Sequence, residues 1–306
     1  MLIRDVFTSK NIYCIKSLQK TDNAMIKLHY ISHSCPDFKK AILFQVIGIC
    51  VIVLLSTGCS RKTNNQILTL EDMENLKRTE WDQIAGKSIF FGHQSVGNNI
   101  LAGIEGLRPS DDSSGLRIIE TRELTDFSSF VFAHSRIGKN HDPKSKIDDF
   151  VNVLRSGIGE GVDLALMKLC YVDFKKETDI KDLFEYYKSS ANKLSNDFPD
   201  LKIIHCTVPL TIKPQGMKGL AFRILKMDGN LYRHRYNEFL RKNYDKNEIF
   251  DIAAIESTFN NGKQNLYDNG IPALVNDYAS DNEGHLNIDG QKLLAYHLLK
   301  TLLSDK

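Results

Sequence analysis

Along the last three-quarters of the chain, apolar residues recur with two different spacings. Ile89-Phe90-Phe91, opening at Ser88 and stopping at Gly92, is a short apolar run that predicts a buried strand. Ile100, Leu101, Ile104 and Leu107 then follow at helical spacing. A helix is expected before this pair at 70–85 and a second strand after it at 116–120. Further on come a helix at 147–154, a strand at 164–169, a long helix from 176 to 196, and a strand at 201–208 that Pro209 stops. A helix at 232–242 and a last strand at 249–254 precede the final helix. That helix carries a wide apolar face of Leu293, Leu294, Tyr296, His297, Leu298, Leu299, Leu302 and Leu303, with Asn287 or Asp289 as its cap. The 164–169 run is broken only by Lys168, as a central parallel strand requires. Strands alternating with helices predict an α/β domain whose parallel sheet is covered on both faces. Ligands of such sheets bind beyond the carboxyl ends of the strands. The informative positions are therefore those just after residues 91, 169 and 208, and the loop before the last helix.

The N-terminal part follows a different pattern. Residues 41–55 (AILFQVIGICVIVLL) are apolar except for Gln45, with Lys39 and Lys40 before them and Ser56-Thr57-Gly58-Cys59 after. A basic flank, a short apolar core and small residues at its end make an export signal. The run is shorter than the ~20 residues a stable membrane span needs. The organisation expected is a targeting segment at 1–58, a polar linker at 59–69 and one domain at 70–306. The alternative is a single N-terminal membrane anchor that stays uncleaved. The ending Leu54-Leu55-Ser56-Thr57-Gly58-Cys59 resembles the lipobox of bacterial lipoproteins, although Ser56 stands where Leu is usual. That resemblance implies lipid attachment at Cys59, export, and a cell-envelope location anchored in the membrane.

Composition changes little in this picture. The chain has 306 residues, 42% hydrophobic and 25% charged, which is ordinary globular usage and excludes collagen, disordered tails and multispan membrane proteins. The net charge is +2, and the body from Cys59 onward carries 33 basic and 35 acidic residues. No concentrated basic surface is implied, so nucleic acid is not an expected partner. Beyond Cys59 only Cys170 and Cys206 remain, both in apolar runs where a cysteine is usually a small buried hydrophobe. A disulfide between them stays open on sequence grounds.

Two stretches carry candidate chemistry. Phe91-Gly92-His93-Gln94-Ser95-Val96-Gly97 takes a strand through a glycine to a serine at the start of a helix. Unpaired N–H groups there favour negative charge, which suits a serine nucleophile whose adduct is an oxyanion. Alternatively Ser95 simply caps the helix. The loop before the last helix reads Ser280-Asp281-Asn282-Glu283-Gly284-His285-Leu286-Asn287. A histidine behind a cluster of carboxylates has the residues of a general base and its orienting acid.

These stretches resemble the SGNH (GDSL-type) serine esterases and acylhydrolases, across about residues 86–304. FFGHQSVG matches their serine block by layout, with His93-Gln94 in place of a single Asp. GHLNIDGQKLLA matches their histidine block more fully. The resemblance implies a three-layer α/β/α sandwich with a central parallel sheet, flavodoxin-like in its winding. It implies Ser95 as nucleophile and His285 as base; the family's acid stands three residues before the histidine, where this chain has Asn282, and Asp281, one place earlier, is taken as the acid. Glu283, or a backbone carbonyl with no acid at all, is the alternative to Asp281. It also implies an oxyanion-hole glycine, for which Gly138 is the candidate. The family's asparagine donor is absent, because Val172 stands at its place; Lys168, Asn140 or Asn98 would have to replace it. Lys168 could equally be a structural ion pair, for instance with Asp173. His93 is either a wall of the substrate pocket or a hydrogen-bonded structural residue.

No cofactor is implied. His134, His141 and Asp142 do not have metal-ligand spacing, and no P-loop or dinucleotide fingerprint occurs. The expected activity is hydrolysis of an ester-bearing small molecule or glycan. Acyl transfer to a sugar with the same residues, or glycan binding without catalysis, are the rival expectations.

Overall fold

A computed structural model describes residues 67–111, 114–214, 216 and 229–304. The targeting segment and Cys59 lie outside the described residues. Six strands form one parallel sheet: β1 (Ile89–His93), β2 (Ile118–Glu120), β3 (Phe132–Arg136), β4 (Leu164–Met167), β5 (Lys202–Cys206) and β6 (Ile249–Phe250), in the order β2-β3-β1-β4-β5-β6. Seven α-helices are described: α1 (Arg78–Ala85), α2 (Val96–Leu107), α3 (Pro143–Arg155), α4 (Ile180–Asp197), α5 (Gly229–Asn243), α6 (Ile252–Glu256) and α7 (Ile288–Leu303).

The two-residue period of the strands sorts the core into two halves. Ile89, Phe91, Leu164, Leu166 and Ile204 point to one face, where α1, α2, α6 and α7 supply Trp81, Ile100, Ile252 and Leu298. Phe90, Ala165, Met167 and Ile203 point to the other, where α3, α4 and α5 supply Phe150, Phe184 and Tyr236. Helices therefore cover both faces, giving the three-layer α/β/α sandwich expected from the alternating pattern. Every residue of β1 is buried. The chain runs from β1 to β2 and β3 on one side, then crosses to β4 on the other, so the winding reverses at β1. Such a reversal is where open α/β sheets bind ligands.

Several expectations need correction. Strand β3 has no counterpart in the sequence reading, because Phe132-Ala133-His134-Ser135-Arg136 mixes small and polar residues. Its pairing to β1 and β2, not its composition, makes it a strand. The helix expected at 70–85 begins only at Arg78, since Asp72 accepts hydrogen bonds from the Thr69 N–H and hydroxyl and holds a turn instead. The strand expected at 249–254 ends at Phe250, where Asp251 caps α6. Of the two caps considered for α7, Asn287 accepts from the Gly290 N–H. Cys170 and Cys206 are both free and buried, so they form no disulfide. Among the described residues no helix is long and apolar enough to cross a membrane.

The α2–α7 contact matters most for function. A Cβ built on Gly103 would fall 2.1 Å from the Gln291 carbonyl oxygen, so the two helices touch backbone to backbone at this glycine. Gly106, one turn later, would meet only the flexible end of Lys292, at 3.2 Å. Alanine normally stabilises a helix over glycine by about 1 kcal/mol. Gly103→Ala is expected to reverse that sign and cost about 1–3 kcal/mol through overpacking. Gly106→Ala is expected to be neutral or stabilising. Urea unfolding of the two variants checks the contrast, and equal effects would mean that the helices are not in backbone contact.

Candidate active site

Ser95 stands between β1 and α2 with φ 49° and ψ −107°, a left-handed conformation for a residue with a side chain. Strain of this kind costs about 1–3 kcal/mol and persists only where surroundings impose it. The turn lifts the Ser95 hydroxyl off the end of the sheet. Its side chain makes no capping bond to α2, so the simple capping role is not what it plays. Instead Ser95 Oγ lies 2.7 Å from His285 Nε2.

His285 reaches Ser95 from a loop that is held on three sides. The Leu286 N–H donates to Asn99 Oδ1 on α2 (3.2 Å), the Ile212 N–H donates to the Glu283 carbonyl (2.9 Å), and the Ser280 N–H donates to the His285 carbonyl (2.8 Å). The Tyr171 ring meets the imidazole edge-on, with centroids 5.8 Å apart. His285 Nδ1 is hydrogen-bonded to Asp281 Oδ2. An ionised carboxylate only accepts, so Nδ1 carries the proton and Nε2 offers its lone pair to the Ser95 hydroxyl. Asp281 Oδ1 also accepts from the N–H groups of Glu283 (2.8 Å) and His285 (3.2 Å). Burial works against ionisation of Asp281, but the bonds from the His285 ring and these two backbone groups outweigh it and hold the carboxyl below its ordinary value. Glu283 faces elsewhere, accepting the Tyr171 hydroxyl at 3.3 Å. Burial first, then the Glu283 and Asp281 charges, raise the Tyr171 phenol above its usual range, so it stays a donor. The His285 and Asp281 side chains are 40% and 37% exposed, so the group is open to solvent.

The remaining candidates divide. Gly138 N–H donates to Asp149 Oδ2 at 2.8 Å, which removes it from the expected oxyanion role. Its glycine identity has another cause: at φ 52° a Cβ would fall 2.5 Å from the Lys146 nitrogen. Lys168 is fully buried, its ammonium 3.4 Å from Cys170 Sγ, so it cannot reach a bound substrate. Nor is it the partner of Asp173, which Lys146 takes at 2.6 Å. His93 is 1% exposed and directs Nε2 to His134 Nδ1 at 3.1 Å. It is a scaffold residue beneath the site, not a pocket wall. Asn98 is exposed on α2, and its neighbour Asn99 holds the histidine loop. Asn140 is exposed on the loop after β3 and accepts from Lys146 at 3.0 Å. No cluster of metal-ligating side chains occurs among the described residues.

Three residues that sequence reasoning passed over also build the site. Gln94 donates to the carbonyls of Ile137 and Gly138, both at 2.7 Å, and laces the serine turn to the loop after β3. Asn99 and Tyr171 fix the histidine loop. Only Gln94, next to the serine, carried any signal in the sequence; the other two act through long-range contacts. A cavity of about 580 Å³ between α4 and α5 is lined by Lys176, Lys181, Tyr232, His234, Arg235 and Lys242 among others, and includes none of Ser95, His285 and Asp281.

No protein-family model matches the chain, and no curated protein does. Among solved structures, a protein from Streptococcus pneumonia assigned as a platelet activating factor aligns with a TM-score of 0.44 at 14% identity, covering 83% of this chain and 99% of that one. A protein from Desulfitobacterium hafniense DCB-2 assigned to the lipolytic G-D-S-L family aligns at 0.41 and 9% identity, covering 70% and 99%. The periplasmic domain of a Salmonella ser. Paratyphi A lipopolysaccharide acetyltransferase aligns at 0.33 and 14% identity, covering 74% and 89%. With overlaps of this size, any functional reading has to rest on the geometry of Ser95, His285 and Asp281.

The buried ionisable groups below the site give the fold a pH signature. Burial holds His93 and His205 down at about 3, with His134, Lys168 and Arg136 adding to the effect at His93. The unfolded chain protonates them near 6.5, so it takes up protons that the native state refuses, and stability falls as pH drops below that value. Glu256 runs the other way. Burial raises it to about 8, against the Leu210 N–H and the charges of Arg233 and Lys168. Its share of stability is complete below the unfolded value near 4.5 and is lost as pH rises toward 8. From pH 6.5 to 4.5 these two histidines, joined by His134, His234 and His297, which burial also lowers, oppose one glutamate, so stability should fall by at least roughly 1.4 kcal/mol per pH unit, the slope for one net proton. Glu256→Gln should steepen that slope by about 1.4 kcal/mol per pH unit, the share of the one proton it removes. Urea midpoints across this window test the pair, and a flat wild-type curve would contradict the buried neutral histidines.

Proposed function

We propose that this chain is a serine-dependent acyl-ester hydrolase acting through Ser95, His285 and Asp281. The observation that carries this reading is the 2.7 Å approach of Ser95 Oγ to His285 Nε2, with Asp281 bonded to the opposite ring nitrogen. Nucleophile within reach of base, and base oriented by an acid, is the arrangement that activates a serine hydroxyl.

The steps follow from the tautomer. Ser95 Oγ attacks the ester carbonyl as its proton passes to Nε2. The imidazolium so formed is stabilised by the Asp281 carboxylate. The carbonyl oxygen becomes an oxyanion beside the start of α2, where the Ser95 N–H has no acceptor among the described residues. Collapse expels the alcohol, which takes the proton from Nε2. Water, activated by the same nitrogen, then attacks the acyl-enzyme and releases the acid and Ser95. We place the substrate among acylated carbohydrates or other small esters. We further propose that export and lipid attachment at Cys59 hold the domain at the cell envelope.

Ser95→Ala is expected to lower hydrolysis of short acyl esters by at least about 10⁴-fold and to abolish labelling by a fluorophosphonate probe. Asp281→Asn should cost about 10²–10⁴-fold by disturbing the tautomer. Wild-type protein that neither hydrolyses esters nor takes the probe would leave a glycan-binding role instead. Ester product that appears only when a sugar acceptor is added would make the chain an acyltransferase.

A further inference from the structure

An oxyanion needs more than one preorganised donor, and two of the expected ones are excluded by their surroundings. Gly138 N–H is taken by Asp149, and Lys168 is sealed in the core. Asn140 is placed differently. Its side-chain oxygen accepts from Lys146 Nζ at 3.0 Å. A lysine ammonium only donates, so this bond decides which way the amide faces. Nδ2, with both of its hydrogens, is directed away from Lys146, and no acceptor takes them among the described residues.

What holds Asn140 is itself fixed. Lys146 is fully buried and gives its other bonds to Asp173 Oδ1 and Oδ2, at 2.8 and 2.6 Å. Asp173 is 2% exposed and also accepts from the N–H groups of Cys170 (2.8 Å) and His141 (2.9 Å). His141, at φ 68°, adds a ring contact from Nδ1 to the Val172 carbonyl at 3.0 Å. One desolvated ion pair thus ties the loop after β3 to the loop after β4 on either side of β1. Gln94, beside Ser95, joins the same loop through Ile137 and Gly138. His285 is supported from the β4–β5 side, through Tyr171 and Ile212. Asn140 therefore sits on the loop that Gln94 laces to the Ser95 turn, two residues beyond Gly138, with an amide donor left over.

We propose that Asn140 Nδ2 is the second oxyanion donor and that the buried Lys146–Asp173 pair consists of positioning residues that aim it. This inference rests on the serine-hydrolase reading, and the test separates the two.

Wild type and Ser95→Ala are first compared for fluorophosphonate labelling and for turnover of a short acyl ester; absence of Ser95-dependent reaction overturns both proposals together. Given that reaction, Asn140→Ala, on an exposed loop, should lower kcat by about 10²–10³-fold with KM changed less than about threefold. Asn140→Asp keeps an acceptor for Lys146 but removes the donor, so it should lose as much. Lys146→Met should also lower kcat, and in the double variant with Asn140→Ala the losses should not multiply, because both remove one function. Asn140→Asp or Asn140→Ala with wild-type kcat overturns the donor role while leaving Ser95 as nucleophile. Losses that multiply in the double variant overturn the positioning role. If Lys146→Met does not fold, the two Asn140 variants decide the donor, and Lys146→Arg, read for the same non-multiplying loss, decides the positioning.

Discussion

The hydrogen bond between Ser95 and His285 joins residues 190 positions apart, and the rest of the site is arranged around making it possible. Neither residue can reach the other from its own loop. The serine is carried at the start of α2 and the histidine just before α7, so their separation is set by how those two helices pack. Gly103 against the Gln291 carbonyl fixes that packing at backbone distance, and Asn99 adds a direct bond from α2 to the histidine loop. The surrounding contacts hold Ser95 in a conformation that the residue alone would not adopt, and in doing so present its hydroxyl to the imidazole instead of to the helix end.

Charge is distributed around this bond in two ways. On the surface, Asp281 stays ionised because three N–H donors, one from His285 and two from its own turn, converge on it. Beneath the surface, burying a charge is costly unless it is fully partnered. Lys146 and Asp173 meet that condition, with every ammonium hydrogen directed at an acceptor. Lys168 and Glu256 do so less completely: the lysine contacts a thiol, and one Glu256 oxygen has no partner among the described residues. The first pair is therefore a rigid support for the loops at the sheet's edge. Burial without a full set of partners leaves Glu256 inclined to hold a proton.

Legibility in the sequence followed the range of the interaction that decides each feature. Apolar runs in β1 and β4 and the stripes on α2 and α7 are local patterns, and they led correctly to a parallel sheet between helical layers. Strand β3 was invisible because its residues do not look like a strand until β1 and β2 lie beside it. Ser95 and His285 were legible as candidates because each sits close to an element boundary with chemistry-bearing neighbours, whereas Asp281 was one of two acids the sequence offered. Gly138 was misread because its glycine identity answers to the close approach of α3, not to a free N–H. Lys168 and His93 stayed open between site and scaffold for one shared reason: a polar residue beside a strand end looks the same in sequence whether it turns inward or outward.

The amino-acid order by itself determined the layering, the position of the site at the carboxyl end of the first strand, and which hydroxyl, imidazole and carboxylate were available. Only the tertiary structure decided which acid stands behind the histidine, that the serine is not a helix cap, and which polar side chains are sealed away from substrate. Periodicity and turn chemistry act over a few residues and leave a trace in the sequence. Hydrogen-bond partners across the sheet are chosen by packing between distant segments, and that choice is made only when the chain has folded.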